Sequence, residues 1–207
     1  MSEKSLEVNE CLKLILERRS ITFFDKTKEV DDELLIKIIE LASLAPSSYN
    51  LQPWEVIIVK SKENKIKLRE ICFNQEKIQD ASANIVVIAN YKRAINNIEK
   101  VINDAKSKGY NISVDKNLIA NFYSINAKMR AVRDTSLFAM NIMTIARFFG
   151  LETHAIEGFN EQLLREFLNI EDYKEIPMII AIGYKDPTKN LLPRGIRFPF
   201  SDFGKII

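Results

Sequence analysis

Several residue types on which protein classes depend are scarce in this sequence. It holds two cysteines, one histidine and six glycines in 207 residues. Cys11 and Cys72 stand far apart within apolar helical patterns and lack ligand spacing, so they read as core thiols rather than a bridge or a metal pair. A single histidine, His154, gives a histidine metal site or a His-containing triad little to build on. No apolar run approaches the roughly 20 residues of a membrane span, so no membrane partner is expected. Met1 to Glu10 is polar and acidic, unlike a secretory leader, which makes the cytoplasm the expected compartment. A net charge of +2 without a concentrated basic face argues against nucleic acid as a partner. There are no internal repeats, low-complexity tracts or linkers, and the length suits a single domain over 1–207.

Apolar periodicity is plentiful. Val8, Cys11, Leu12, Ile15 and Leu16 follow helical spacing up to Arg18, Arg19 and Ser20, where the pattern stops. Asp31 is placed as an N-cap with Val30 and Leu35 as a hydrophobic staple, and the helix behind it buries Leu35, Ile38, Ile39 and Ala42 before Pro46 stops it. Trp54–Val59 reads as a strand apolar on both faces and hence central in its sheet. Ser61 caps the next helix, and Ile85–Ala89 is a second buried strand. A polar helix around Ile95–Lys106 closes at Gly109. Two long helices are expected over Asp115–Gly150, the second with Leu137, Met140, Asn141, Thr144, Ile145 and Phe148 on one face. Ala155–Ile156 is a short strand, Asn160 a further cap, and Met178–Ile182 a third buried strand. The last residues, Asn190–Ile207, have little core of their own and are expected to lie over another surface, such as a second subunit. A few apolar strands among many helices give an α-β-α layered domain.

Five segments gather polar chemistry. Arg18, Arg19, Ser20 and Thr22 offer guanidinium forks beside hydroxyls, which suits a phosphate, although cations also complement a helix C-terminus. Ala45–Trp54, with Pro46, Ser47, Ser48 and Asn50, crowds hydroxyls and amides before a buried strand; turn chemistry explains each residue singly but not the gathering. Phe73–Lys77 contains Asn74, able to meet both edges of a heterocycle, and the cation Lys77; a solvated loop is the alternative. Glu157–Gly158 follows a short strand, where glycine lets backbone approach a flat ligand. Arg194 and Arg197 add positive charge near the C-terminus.

Taken in order, these segments resemble the FMN-dependent nitroreductase family from about Leu14 to Pro199. The family's opening Arg-Arg/His-Ser motif appears at Arg18–Phe24, and its Ala/Ser-Pro-Ser-x-x-Asn-x-Gln-Pro-Trp motif is complete from Ala45 to Trp54. Phe-Asn-x-x-Lys matches at Phe73, Asn74 and Lys77, Glu-Gly at Glu157 and Gly158, and Arg-x-Pro at Arg197 and Pro199.

The resemblance implies an α+β fold with a central, mainly antiparallel sheet flanked by helices. It also implies an intertwined homodimer with FMN at the subunit interface, and a C-terminal extension, about 186–207, packed on the partner. Arg18, Arg19, Ser20 and Arg197 would hold the phosphate and ribityl end, with Arg194 a second C-terminal cation. Pro46, Ser47, Ser48 and Asn50 would come from the other subunit, Asn74 and Lys77 would meet the pyrimidine edge, and Glu157 and Gly158 would place amides near N5. NADH or NADPH would be the reductant, and an electron-poor small molecule such as a nitroaromatic or quinone the acceptor, by a ping-pong mechanism. A dedicated reductase of one metabolite (an enone, halophenol or flavin) and a non-catalytic flavin binder are the alternatives. Thr22 stands where many family members carry Arg or Lys, which removes one charge from the ring's vicinity. His154 lies near Glu157 in sequence but reads as a core or interface residue.

Overall fold

A computed structural model describes residues 10–111 and 115–207; Val8 and the side chain of Cys11 lie outside the described residues. In chain order the elements are α1 (Glu10–Glu17), α2 (Asp32–Ala42), a 3-10 turn (Ser48–Asn50), β1 (Trp54–Val59), α3 (Lys62–Ile71), α4 (Glu76–Asp80) and β2 (Ala83–Ala89). There follow α5 (Tyr91–Ser107), α6 (Lys116–Ser124), α7 (Ala127–Phe148), β3 (Glu152–Ile156), α8 (Glu161–Leu168), β4 (Glu175–Gly183) and α9 (Phe200–Phe203).

Local chemistry sets the boundaries. Ser61 Oγ accepts the Asn64 N–H at 3.2 Å to start α3, and Asn160 Oδ1 accepts that of Leu163 at 3.1 Å to start α8. Asp31 takes the N-cap position of α2 without a side-chain capping bond. The staple behind it does form, with Val30 and Leu35 each 1% exposed. Gly109 and Gly150 adopt φ of +86° and +74° as the left-handed residues that close α5 and α7. After Gly150, the Leu151 N–H returns to Ala146 O at 2.9 Å, which satisfies a carbonyl the helix leaves unpaired.

The sheet is antiparallel throughout, in the order β1-β2-β4-β3. Alternate side chains feed two cores. One face carries Trp54, Ile85, Val87 and Ile180 against Leu35 and Ile38 of α2 and Phe138 and Ile142 of α7. The other carries Val59, Val86, Ile88 and Ile179 against Leu68 of α3, Ile78 of α4 and Leu164 of α8. A satellite core joins α5 and α6 around Leu51, Ile98 and Tyr123. The expected α+β, α-β-α layering is present. Among the described residues no helix is long and apolar enough to cross a membrane.

Four expectations need correction. β1 lies at a sheet edge, not the centre, because its two-sided apolar pattern reports helices covering both faces rather than a strand on each side. On α7 the buried face is Ala131, Thr135, Phe138, Ala139, Ile142 and Ala146, whereas Leu137, Met140 and Phe148 are exposed. Ile15 and Leu16 of α1 are exposed as well. Of the two helices expected over Asp115–Gly150, α7 has 22 residues but α6 only nine.

Candidate functional site

The loop after α1 is built into the sheet edge. Ser20 bridges Thr153 of β3 in parallel, the Ile21 N–H donates to Thr153 O at 3.2 Å, and Phe24 bridges Lys185. Ile21 and Phe24 anchor this segment in the core, which leaves Arg18, Ser20 and Thr22 beside the β3 edge. No hydrogen bond from the Arg18 guanidinium is found among the described residues, and its charge bears on the half-buried Glu152. Burial is the larger influence on Glu152 and pushes its carboxyl up, against the pull of Arg147, Lys185 and Arg18.

Arg19 and Arg194 serve a purpose that sequence reasoning did not assign. Arg19 donates to the carbonyls of Leu192 at 2.6 Å and Pro193 at 3.4 Å. Arg194 donates in return to those of Leu16 at 2.5 Å and Arg18 at 3.2 Å. The two guanidiniums therefore pin the C-terminal segment against the loop after α1. Arg197 is exposed and turns back to its neighbours' carbonyls at Gly195 and Ile196.

The second segment ends α3. Phe73 and Asn74 both adopt left-handed backbone, with φ of 55° and 59°, and the Asn74 N–H bonds Arg69 O at 2.9 Å. A phenylalanine in the position glycine usually takes is a strained choice. It leaves the Asn74 side chain exposed and starts α4 at once, so Lys77 stands on a helical turn rather than a loop. Lys77 is half-buried and has no ion-pair partner among the described residues; burial holds its ammonium below the ordinary lysine pKa.

Gln75, passed over in the sequence, joins this segment to the third. Its Nε2 donates to Gly158 O at 2.7 Å and to Cys72 O at 3.0 Å. A Cβ at Gly158 would meet that nitrogen at 3.2 Å, so the glycine admits the Gln75 amide. Asn160 N–H to Ile71 O, 2.9 Å, is a second tie. No hydrogen bond from the Glu157 or Gly158 amide is found among the described residues, and both residues are exposed. His154, three residues before Glu157 on β3, has Nδ1 2.6 Å from Ile21 O. Burial lowers its pKa, the carbonyl of Ile21 opposes this, and the charge of Lys77 lowers it further. Loop 18–22, the α3–α4 corner and the end of β3 thus meet at one place. Cys72 beneath them is fully buried, its thiol pushed up to about 12 by burial.

The Ala45–Trp54 segment is elsewhere. It precedes β1 at the opposite sheet edge, at least about 14 Å from β3 by three strand spacings. No hydrogen bond or ion pair joins it to the first cluster among the described residues. Its shape is set by Asp134, 1% exposed on α7, whose Oδ2 accepts the Ser48 N–H at 2.9 Å. Arg133 donates to Asp134 Oδ1 at 2.8 Å and to Ser48 Oγ at 2.5 Å. Ser47 Oγ accepts the Gln52 N–H at 3.1 Å, while Pro46 and Asn50 stay exposed. Tyr49, Asn50 and Gln52 all have positive φ, of 51°, 57° and 49°. Sequence reasoning missed Asp134 and Arg133; a charged pair amid an apolar helix was the available signal.

The comparisons with known proteins fall on this arrangement. The model of the Nitroreductase family matches residues 15–184, which takes in loop 18–22, the α3–α4 corner, the Ala45–Trp54 segment and Glu157–Gly158. The chain belongs to the nitroreductase family. MhqN of Bacillus subtilis (strain 168), named among the NAD(P)H nitroreductases, is 32% identical over 199 residues, covering 92% of this chain and 95% of its own. A nitroreductase of Exiguobacterium sibiricum 255-15, solved in complex with FMN, is 28% identical with a TM-score of 0.83, covering 96% of this chain and 98% of its own. The CLA biosynthesis enone reductase of Lactiplantibacillus plantarum is 28% identical over 200 residues, covering 88% of this chain and 90% of its own.

Proposed function

We propose that the chain is an FMN-dependent oxidoreductase that takes reducing equivalents from NADH or NADPH and passes them to an electron-poor small molecule. The observation that carries this reading is Lys77. A half-buried ammonium without an ion-pair partner among the described residues is costly unless an electron-rich group meets it, and Lys77 stands two residues after Gln75, which bonds the exposed Gly158. The FMN complex of the Exiguobacterium relative and the NAD(P)H nitroreductase name of MhqN support the cofactor and the reductant.

When bound, FMN would supply the redox chemistry, carrying reducing equivalents from the nicotinamide to the acceptor in a ping-pong manner. Arg18, Ser20, Arg197 and the remaining N–H groups of Arg19 would hold the phosphate and ribityl end. Asn74 and Lys77 would meet the pyrimidine edge, where a cation would stabilise negative charge on the reduced ring. The amides of Glu157 and Gly158 would face the ring, and Gln75 holds the Gly158 carbonyl. Thr22 adds a hydroxyl but no charge, and Arg194 keeps the tail closed over Arg18. No side-chain acid or base is required.

Pro46, Ser47, Ser48 and Asn50 cannot serve the same ring within one chain, given the sheet between them. They serve a second copy's site in a homodimer. The exposed Leu44, Leu137, Met140 and Phe148 are the surface for that pairing, and the apolar tail residues Phe198, Phe200 and Phe203 pack on the partner. A monomer with full flavin content, seen by light scattering, contradicts the shared site.

A second reading is a reductase dedicated to one conjugated carbonyl, favoured by the enone reductase among the relatives. Steady-state NAD(P)H oxidation across nitroaromatics, quinones and enones tests both. Turnover of several flat acceptors supports the broad reading, and turnover of enones alone the dedicated one. No NAD(P)H oxidation with any acceptor leaves a flavin binder and sinks the enzyme.

A further inference from the structure

Beside the strained loop before β1 lies a cavity of about 180 Å³, lined by Asn50, Gln52, Arg93, Asn97, Lys100, Val101 and Asp104. That is the volume of about six waters at roughly 30 Å³ each, enough for a phosphate or pyrophosphate group and too little for a nucleotide. Arg93, Asn97, Lys100 and Asp104 share one face of α5 by helical spacing. Asn97 Nδ2 donates to Leu51 O at 2.9 Å, which ties that face to the loop. Asn90 Oδ1 caps the helix on the Arg93 N–H at 3.0 Å, fixing where Arg93 starts.

The charges in this pocket do not cancel. Arg93 and Lys100 have no ion-pair partner among the described residues, whereas Asp104 is already paired with Lys108 at 2.8 Å. Lys100 and Asp104 are four positions apart, yet the Asp104 carboxylate is taken by Lys108, and the exposed Arg93 has no carboxylate three or four positions away. The loop opposite is held in an unfavourable conformation. Tyr49 and Gln52 are left-handed, as Asn50 is, yet neither is a residue type that tolerates it well. That geometry turns the Gln52 amide onto Asn50, to O and Oδ1 at 3.3 Å each, and sets both beside the cations. Left-handed Asn50 and Gln52 thus face two exposed cations without ion-pair partners among the described residues across one small pocket.

We propose that this pocket is an anion subsite that takes a phosphate or carboxylate carried by the reductant or the acceptor. It rests on the oxidoreductase reading, since its wall includes Asn50 from the loop assigned to the partner's cofactor. Arg93 supplies a planar fork for two oxygens and Lys100 a mobile point charge.

The test uses the full-length flavoprotein with Arg93→Gln, Lys100→Gln and the double variant. KM is measured for NADH, for NADPH, and for the acceptor pair nitrobenzene and 4-nitrobenzoate. Each single change should raise KM for the anionic partner about five- to ten-fold, the loss of one charge-assisted contact, and the double change more. The salt dependence of kcat/KM for that partner should flatten. A rise for NADPH alone identifies the 2′-phosphate, a rise for both dinucleotides their pyrophosphate, and a rise for 4-nitrobenzoate alone the acceptor's carboxylate. Calorimetry with inorganic pyrophosphate on the resting protein gives a readout without turnover, and binding should disappear in the double variant. KM values all within two-fold of the parent, or an equal rise for neutral nitrobenzene, overturn the subsite, as does pyrophosphate binding that the double variant retains. If the parent oxidised neither dinucleotide, the oxidoreductase reading would fail instead, and calorimetry would still decide the pocket.

Discussion

Replacing Lys77 with methionine keeps most of the side chain's length and removes its charge. Lys77 is half-buried on α4, close enough to His154 to disfavour its protonation, and has no ion-pair partner among the described residues. A cation beside the pyrimidine edge favours the reduced, more negative ring over the neutral oxidised one, so the variant's midpoint should move to a more negative potential. One unit charge at 4 Å with an effective dielectric near 20 is worth about 4 kcal/mol. For a two-electron couple about 30 mV corresponds to roughly 1.4 kcal/mol, which makes the ceiling about 90 mV. Solvent reaches the exposed side of Lys77 and screens part of that, leaving a shift on the order of tens of millivolts. Thr22 sharpens the expectation, because the loop after α1 supplies no second cation at that position. Spectroelectrochemistry should show near-normal FMN content, a lowered midpoint and slower reduction by NAD(P)H, with Lys77→Arg close to the parent. An unchanged midpoint in Lys77→Met would place Lys77 away from the ring and refute the assignment of the pyrimidine edge.

Arg18→Ala should purify largely without flavin, and the parent should bind riboflavin far more weakly than FMN by titration calorimetry; equal affinities would remove the phosphate site. Asp134→Ala deprives the Ser48 N–H of a nearly fully buried carboxylate, so stability in urea should fall by about 2–3 kcal/mol, while Asp134→Asn, which keeps an acceptor, loses less. His154 is held below its ordinary pKa of 6.5 by burial, so the unfolded chain takes up the proton first as pH falls. Its contribution is complete above about pH 6.5 and declines as pH drops from there toward the lower folded value; His154→Gln should flatten that part of the stability–pH curve.

Much of the fold was legible because local signals and packing agree. Ser61 and Asn160 cap, Gly109 and Gly150 terminate, and Ile85–Ala89 and Met178–Ile182 are buried strands, each fixed by chemistry within a few residues. What failed needed knowledge of neighbours. α7 is apolar on two faces, and the spacing of Leu137, Met140 and Phe148 is as helical as that of Phe138, Ile142 and Ala146. Only the sheet's position decides which face it covers. β1 shows the same limit, since helices on both sides of an edge strand give it the composition of a central one. At the site, the motif residues were visible, but their partners were not. Gln75 reaches Gly158 across 83 residues, Arg19 reaches Leu192 across 173, and Asp134 reaches Ser48 across 86. Such bonds carry no periodicity and leave no local trace.

The central claim, a bound FMN reduced by a nicotinamide, is tested most directly by the visible absorption spectrum of the purified protein before and after anaerobic addition of NADH or NADPH. The expected result is a yellow protein with flavin bands that bleach on addition of at least one of them and return with oxidant. A protein that remains colourless after incubation with FMN, or whose flavin neither nucleotide bleaches, would contradict it.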